Sequence, residues 1–411
     1  MNAPATQMRA GDFRVMSLIG LGHATSHFFH LVIPSLFPWL MADFGLSFTR
    51  AGTLTAAFFI VSGTGQALAG FVVDRYGALR TLSIGLTFLA LSAFALSLAH
   101  GYPALVAAAI LAGAGNAVFH PADFTVLNHS VSSGRLSHAF SAHGLAGNLG
   151  WAASPVFMAG LATFAGWRVA AIAAGVIALG ALASIALLLR GAAGPPPDHP
   201  HEEVAPRASP LELLRVGAIW MCFIFFLAST MGVGALQNFA PSVLKNVYGL
   251  PLTAGASALS LYLLAGAVGI AAGGFLAARY QAHERVVALL LTGAALMAVV
   301  LASAGIPGAA VAPLMAGIGF CTGTATPSRD LLVRRAAMER FGQRSFGRVY
   351  GFVYSGLDAG LAIAPVLFGW LMDRRMFAGV LLGVALFQAL AVVAALGVGQ
   401  ARSAAVAPAR S

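Results

Sequence analysis

Long apolar stretches follow one another along this chain, and short polar or Pro/Gly-containing segments separate them. Twelve of these stretches approach or exceed the roughly 20 residues that a helix needs to cross a bilayer. They are predicted at 15–41, 51–73, 80–99, 103–125, 138–163, 168–190, 213–240, 253–278, 285–304, 307–328, 346–371 and 375–398. Helices are expected because unpaired backbone groups are too costly in hydrocarbon. The pattern therefore predicts an all-α integral membrane protein with twelve transmembrane helices.

Composition supports a membrane protein and excludes an ordinary soluble domain. Of the 411 residues, 59% are hydrophobic and only 9% are charged, whereas soluble domains carry about 25% charged residues. The first apolar stretch is too long for the core of a signal peptide, so it is expected to remain in the mature protein. The two cysteines, Cys222 and Cys321, offer neither a disulfide framework nor a metal-ligand spacing. No cofactor and no dedicated metal site are expected.

Charge predicts the orientation of the spans. If the N-terminus is cytoplasmic, 18 of the 23 lysines and arginines lie on the cytoplasmic side and 5 on the opposite side. An excess of this size is typical of the positive-inside rule. Both termini are therefore predicted to be cytoplasmic, in what we expect to be a bacterial inner membrane. The net charge of +10 needs no nucleic-acid partner to explain it.

The chain divides into two halves that resemble each other. A Pro/Gly-rich and acidic segment at 191–212 is predicted to be a cytoplasmic linker, between six-helix bundles at 1–190 and 213–398 and before a cytoplasmic tail at 399–411. Gly70-Phe71 and Arg75-Tyr76 recur 204 residues later as Gly274-Phe275 and Arg279-Tyr280. Further along, Asn148, Gly150 and Pro155 correspond to Asp358, Gly360 and Pro365. Matches spread over most of the chain indicate a duplicated unit. Two such pseudo-symmetric bundles are expected to enclose a central cavity that opens to each side in turn.

One loop motif resembles that of a known family. The segment GFVVDRYGALR, from Gly70 to Arg80, resembles the motif between helices two and three of the major facilitator superfamily. Asp74, Arg75, Gly77 and Arg80 hold the matching places. The resemblance implies a conformational latch formed by Gly70, Asp74, Arg75, Gly77 and Arg80, which favours one of the two access states. In the second-half copy, Ala278 stands where the acid is expected.

Within the superfamily, the first half looks like the fosmidomycin-resistance group of drug efflux carriers. The similar segments are PSLFPWLMADFGLSF from Pro34, LAGAGNAVFHPADF from Leu111 and SGRLSHAFSAHGLAGNLGWAASP from Ser133. This resemblance implies a transporter that exports small molecules.

The polar residues inside apolar spans are the candidate site residues, because such residues are costly there and need a reason. His23, His27 and His30 are spaced to share one face of the first helix. They are interpreted as binding an anionic solute or exchanging protons, with polar packing or a zinc site as alternatives. Asp358 is a candidate proton carrier, or else a structural acid at a helix interface.

The remaining candidates lie in other spans. His120 precedes Pro121, and Asp123 is either part of the cavity or solvated near the cytoplasmic end. The further cavity candidates are His143, Asn148, Gln237, Asn238 and Arg329. Gln237 and Asn238 either orient a solute or pair between helices.

These patterns predict a secondary active transporter that exports a small organic or drug-like molecule in exchange for protons. The expected partners are that molecule, the proton and the lipid bilayer, and a monomer is expected. One alternative is a proton-coupled importer of a polar metabolite. A second alternative is a membrane-embedded enzyme that uses the histidines of the first helix with a metal.

Overall fold

The computed structural model describes residues 10–132, 135–191, 216–341 and 346–406. Within these ranges the chain forms helices and no strand. The helices are α1 (Ala10–His30), α2 (Val32–Phe44), α3 (Phe48–Tyr76), α4 (Ala78–Ser97), α5 (Tyr102–Asn116), α6 (Phe119–Ser130), α7 (Leu136–Ala165), α8 (Trp167–Gly191), α9 (Gly217–Tyr248), α10 (Leu252–Arg279), α11 (His283–Ala302), α12 (Gly308–Phe341), α13 (Phe346–Asp373) and α14 (Phe377–Val406). Apart from Gly191, the predicted linker at 191–212 lies outside the described residues.

Two of the predicted spans are broken, which corrects the sequence prediction. The span at 15–41 consists of α1 and α2, which meet at Leu31, and the span at 103–125 consists of α5 and α6. Each break lies three or four residues before a proline, Pro34 in the first case and Pro121 in the second. The ring of a proline clashes with the carbonyl four residues earlier and removes a helical hydrogen bond. The fourteen described helices therefore correspond to the twelve predicted spans.

Several helices are longer than predicted. Helix α12 continues to Phe341, beyond the predicted end at 328, and α14 continues to Val406, beyond 398. The predicted ends lie where the run of apolar residues stops. A helix needs no apolar side chains once it leaves the hydrocarbon, because its backbone hydrogen bonds are internal.

Much of the molecular surface is apolar. Nine helical spans among the described residues are long and apolar enough to cross a membrane, or ten if α3 is counted as one bent span. Large side chains such as Phe71, Phe164 and Phe275 are 75%, 89% and 82% exposed. Exposure of many such side chains fits a surface covered by lipid.

The described residues form two compact units. Unit 1 comprises the chain up to Ile33 and from Val61 to the end of α8. In unit 1, α1 packs against α6, α7 and α8, and α4 packs against α5, α6 and α8. Unit 2 comprises Pro34–Ile60 together with α9 to α14. In unit 2, α10 packs against α12, while α9 packs against α13 and α14.

Within unit 2, Asp373 at the end of α13 caps the start of α3. Its carboxylate accepts hydrogen bonds from the backbone N–H groups of Phe48, at 2.6 Å, and Thr49, at 2.9 Å, and from the Thr49 hydroxyl. The first N–H groups of a helix have no partner within the helix, and a carboxylate there is favoured by the helix dipole. Segment 34–60 is thereby tied to a helix more than 300 residues away in the chain.

Candidate functional site

The face of α1 that carries the predicted histidines is buried in unit 1. His23, His27 and His30 are 2%, 9% and 7% exposed. Their spacing of four and three residues places them on one side of the helix. That side lies against α6 and α7, which supply the other members of the group; of these, His120 is half-buried and the rest are buried. We call His23, His27, His30, His120, Asp123 and His143 the histidine cluster.

Glycines of α7 bring its backbone against α1. A Cβ atom at Gly150 would collide with the backbone of Ala24. A Cβ atom at Gly147 would lie 2.8 Å from Nδ1 of His27 and 2.9 Å from Nε2 of His23. The absence of side chains at these two positions lets the imidazoles of α1 reach the next helix.

A fully buried carboxyl group lies at the centre of the cluster. Asp123 of α6 has no exposed surface, so the alternative of a solvated Asp123 does not hold. Its Oδ2 atom lies 3.1 Å from Nδ1 of His23 and 2.9 Å from Nε2 of His143. The rings of His23 and His143 stack with centroids 3.5 Å apart. Its Oδ1 atom has no hydrogen-bond partner in the described part of the chain. Asp123 therefore orients two imidazoles and has a free acceptor.

His30 belongs to a saturated hydrogen-bond network. Trp151 donates from its indole nitrogen to Nδ1 of His30, at 3.1 Å, so the ring proton of His30 is on Nε2. That nitrogen donates to Oδ1 of Asn116 at 3.0 Å, and Ser26 donates to the same oxygen at 2.5 Å. The amide of Asn116 donates in turn to Ser62 at 2.7 Å. Both nitrogens of His30 are thus used in structure.

Asn116, Ser62, Ser26 and Trp151 were not predicted as site residues. The signal for Asn116 was available, since it is an amide in an otherwise apolar segment, LAGAGNAVF. Its role depends on the break between α5 and α6 directly after it. The other three are identifiable only once the helices are packed.

The remaining two imidazoles have unused nitrogens. His120 of α6 forms a 3.0 Å hydrogen bond between Nδ1 and Oε1 of Gln66. Since an amide oxygen only accepts, the proton of His120 lies on Nδ1, and Nε2 carries the lone pair. His27 has no hydrogen bond on either ring nitrogen among the described residues. Its ring lies 4.3 Å from that of His23 and 4.4 Å from Trp151, between centroids.

Asn148 is not a member of the cluster. Its side chain donates to the carbonyl of Gly144 in the same helix, at 2.9 Å.

The other predicted cavity residues lie in unit 2. Gln237 and Asn238 are buried in α9, at 2% and 4% exposure. Asn238 donates to Gly234 of its own helix at 2.8 Å, while Nε2 of Gln237 and Oδ1 of Asn238 lack partners among the described residues. The Nε atom of Arg329 donates to Asp330 at 2.9 Å, and its guanidinium lies 4.5 Å from the ring centroid of Phe226. Asp358 is half-buried in α13.

The predicted latch residues occupy the turn between α3 and α4. Gly77 has a φ of 83°, a conformation that glycine adopts without the penalty of a side chain. Gly70, Asp74, Arg75 and Arg80 are exposed. Arg75 lies 5.6 Å from the ring centroid of Tyr76. The turn geometry is that expected of the motif, and the latch itself stays a prediction.

Relatives in sequence share parts of this chain. It is 31% identical over 157 residues to the fosmidomycin resistance protein of Escherichia coli (strain K12), and the match spans 38% of each chain. It is 26% identical over 378 residues to the membrane sensor protein UhpC of Salmonella typhimurium, which covers 87% of this chain and 83% of that protein. The first match confirms the resemblance to the fosmidomycin-resistance group.

Solved structures share the fold over almost the whole chain. A bacterial homologue of the human lysosomal transporter Spinster, in an inward-facing and occupied conformation, superposes with a TM-score of 0.75 at 14% identity. The superposition covers 96% of this chain and 98% of that one. At this identity the likeness concerns the fold.

The family follows from a match over most of the chain. Residues 19–343 match the family profile of the Major Facilitator Superfamily. The family and its relatives indicate a transporter rather than the metal-dependent enzyme considered as an alternative. The chain therefore belongs to the Major Facilitator Superfamily, whose members are secondary transporters.

Proposed function

We propose that this protein exports a small organic or drug-like molecule in exchange for protons, and that the histidine cluster binds that molecule. The observation that carries the proposal is the grouping in unit 1 of four buried imidazoles, a half-buried fifth, His120, and one buried carboxyl group. Ionisable groups at membrane depth are costly and mark solute or proton pathways. Oδ1 of Asp123 and both nitrogens of His27 have no partner in the described residues, so they are available to a solute.

The chemistry of the cluster favours a solute that carries oxygen anions. The N–H group of His27, which has no partner among the described residues, donates a hydrogen bond to such an oxygen. The N–H groups of His23, His120 and His143 already bond to Asp123 or Gln66, so these rings become donors to the solute only when their second nitrogen is protonated, which also adds a charge. The free Oδ1 of Asp123 accepts a hydroxyl or amine proton of the same solute. His30, whose two nitrogens are bonded to Trp151 and Asn116, positions the neighbouring rings instead.

Asp358 is the proposed proton carrier. It is half-buried in an apolar span, and no hydrogen bond or salt bridge to another described residue stabilises its charge. Asp123, in contrast, is held by two imidazoles. A carboxyl group without partners gains and loses a proton without breaking other contacts.

The setting of this transport is proposed from charge and family. The positive-inside excess favours a bacterial inner membrane protein with both termini in the cytoplasm. A monomer suffices, because one chain supplies all twelve crossings of the family fold.

Growth in the presence of fosmidomycin tests export. The probe is chosen because this chain resembles the fosmidomycin resistance protein. Expression in a bacterium that lacks its own efflux carriers is expected to raise the inhibitory concentration of fosmidomycin. The same amount of the Asp123→Asn variant in the membrane is expected to give no protection. Increased sensitivity on expression would indicate import and would contradict the proposal.

A further inference from the structure

Three imidazoles of unit 1 converge on one point. His23 and His27 come from α1 and His120 comes from α6. One ring nitrogen of each lies within 4.8 Å of those of the other two. The ring of His120 lies 5.2 Å from that of His23 and 6.1 Å from that of His27, between centroids. Of these three residues, the sequence alone placed only His23 and His27 on a shared face.

Two of these imidazoles are oriented as metal ligands are in known sites. Metal-bound histidines almost always donate their other ring N–H to a carboxylate or carbonyl oxygen. Here Nδ1 of His23 lies 3.1 Å from the carboxylate of Asp123, and Nδ1 of His120 lies 3.0 Å from the amide oxygen of Gln66. With the protons on Nδ1, the lone pairs of both rings are on Nε2.

The third imidazole, His27, lacks a hydrogen-bond partner in the part of the chain that the structure describes. His27 is 9% exposed, and neither of its ring nitrogens forms a hydrogen bond with a described residue. A buried polar group without a partner needs a physical reason, such as an ion or a water molecule. Gly147 of α7 leaves room beside this ring. Nδ1 of His27 and Nε2 of His23 both border the space where Gly147 lacks a side chain, at 2.8 and 2.9 Å from the position of a Cβ atom there.

We propose that His23, His27 and His120 bind one divalent transition-metal cation of the Zn²⁺ type. Imidazole nitrogen is a preferred ligand of such cations, whereas Mg²⁺ and Ca²⁺ prefer oxygen. The carboxylate of Asp123 places a negative charge beside the cation without ligating it. Zinc bonds of about 2.0–2.1 Å to nitrogen require the three rings to move together slightly from their present spacing.

Three protein ligands leave the fourth position of a tetrahedral site open. A water molecule or an oxygen atom of the transported solute occupies that position. The cation site stands independently of the proposed export, because it rests on the geometry of the imidazoles alone.

A second ligand set is less favourable. One ligand atom each from His23, Asp123 and His143 also lies within 4.8 Å of the others. In that set, however, Oδ2 of Asp123 already forms hydrogen bonds with both imidazoles. A cation bound through Oδ2 would compete with both hydrogen bonds, whereas the first set leaves the bond between Asp123 and His143 in place.

Calorimetric titration of the purified full chain with ZnSO₄ tests the site. The protein is stripped with a chelator and freed of any affinity tag. One Zn²⁺ per chain is expected to bind with micromolar or higher affinity. The His27→Ala and His120→Ala variants are expected to bind Zn²⁺ at least about 10- to 100-fold more weakly. Changes to residues that only orient a metal ligand already lower the affinity by about this factor. Gly147→Ala, which places a methyl group against the two nitrogens, is expected to weaken binding as well.

Three further variants make the result decisive. Gln66→Ala is expected to lower the affinity about 10-fold by releasing the ring of His120. His100→Ala, at an exposed position in the same unit, is expected to bind as the wild type does. Absence of stoichiometric binding to the wild type would overturn the proposal. Zn²⁺ affinity equal to that of the wild type in both His27→Ala and Gly147→Ala would also overturn it. A loss of Zn²⁺ affinity seen in His143→Ala alone would do the same. Thermal unfolding of each variant verifies that it is folded.

Discussion

Two neighbouring histidines of α1 have opposite roles in the structure. His30 uses both ring nitrogens, with Trp151 and Asn116 as partners, while His27 uses neither within the described residues. The two residues are of the same type, lie on the same face of α1 and are similarly buried. Only their partners on α5 and α7 separate a structural imidazole from one available for a ligand.

This difference predicts opposite effects on stability. His30→Leu leaves Asn116 and Trp151 each without one partner, and an unsatisfied buried group costs about 1–3 kcal/mol. His27→Leu removes an imidazole that has no partner, so the free energy of unfolding is expected to change little or to rise. Thermal unfolding of the two variants in the same detergent compares them directly. Equal destabilisation would mean that the hydrogen bonds of His30 contribute nothing.

At this scale the sequence predicted the ionisable members of the cluster but not their connections. The four-residue spacing placed His23 and His27 on one face, and the cost of burying charge singled out Asp123. Contacts such as the one between His23 and Asp123 join residues 100 positions apart, so they depend on how α1 packs against α6. Uncharged residues such as Ser62 carry little signal, because hydroxyl groups are common in membrane helices.

At the scale of helices, the breaks shape the site. The break between α5 and α6 separates Asn116, which bonds to His30, from His120 and Asp123 one turn or more later. The sequence predicts a continuous span at 103–125, although Pro121 lies within it. The effect of a proline on the carbonyl four residues earlier accounts for the position of both breaks.

Glycine at 150 is predicted to be essential for the contact between α1 and α7. A methyl group there would collide with the backbone of Ala24, and overpacking of this kind costs about 1–3 kcal/mol. Gly160→Ala, in the same helix with no atom within 4 Å of the added carbon, is the matched control. It is expected to be neutral or to stabilise by up to about 1 kcal/mol through helix propensity. Thermal unfolding of both variants measures the difference, and a Gly150→Ala variant as stable as the control would refute the packing argument.

The cap at Asp373 predicts local protection of the start of α3. Asp373→Ala removes the acceptor for the N–H groups of Phe48 and Thr49, and loss of a cap costs about 0.5–2 kcal/mol. Asp373→Asn keeps an acceptor oxygen and is expected to retain much of the protection. Hydrogen exchange followed by mass spectrometry should show faster exchange at these two amides in Asp373→Ala. The same exchange rate in all three proteins would exclude the cap.

At the scale of the whole molecule, hydropathy predicted the fold class and the number of crossings. Both follow from the surrounding lipid, because backbone N–H and C=O groups in hydrocarbon must form hydrogen bonds within helices. The family was also predicted, from the motif between the second and third crossings. The solute and the coupling ion were not predictable in the same way, since they depend on a few side chains brought together by packing.

Proton coupling through Asp358 predicts a specific loss. In proteoliposomes, an imposed pH gradient is expected to accelerate solute flux by the wild type. Asp358→Asn carries no proton at that position, so the gradient is expected to have no effect while solute exchange without a gradient continues. Asp43→Asn, at an exposed position in α2, is expected to behave as the wild type does. Gradient-driven flux at the wild-type rate in Asp358→Asn would remove this residue from the mechanism.

The central claim is that the buried carboxyl group and imidazoles of unit 1 bind the transported molecule. Uptake of labelled fosmidomycin into proteoliposomes tests it most directly, with the wild type, Asp123→Asn and His100→Ala compared at equal protein content. The account predicts uptake by the wild type and His100→Ala, and a rate equal to that of protein-free vesicles for Asp123→Asn. Uptake by Asp123→Asn at the wild-type rate would contradict it.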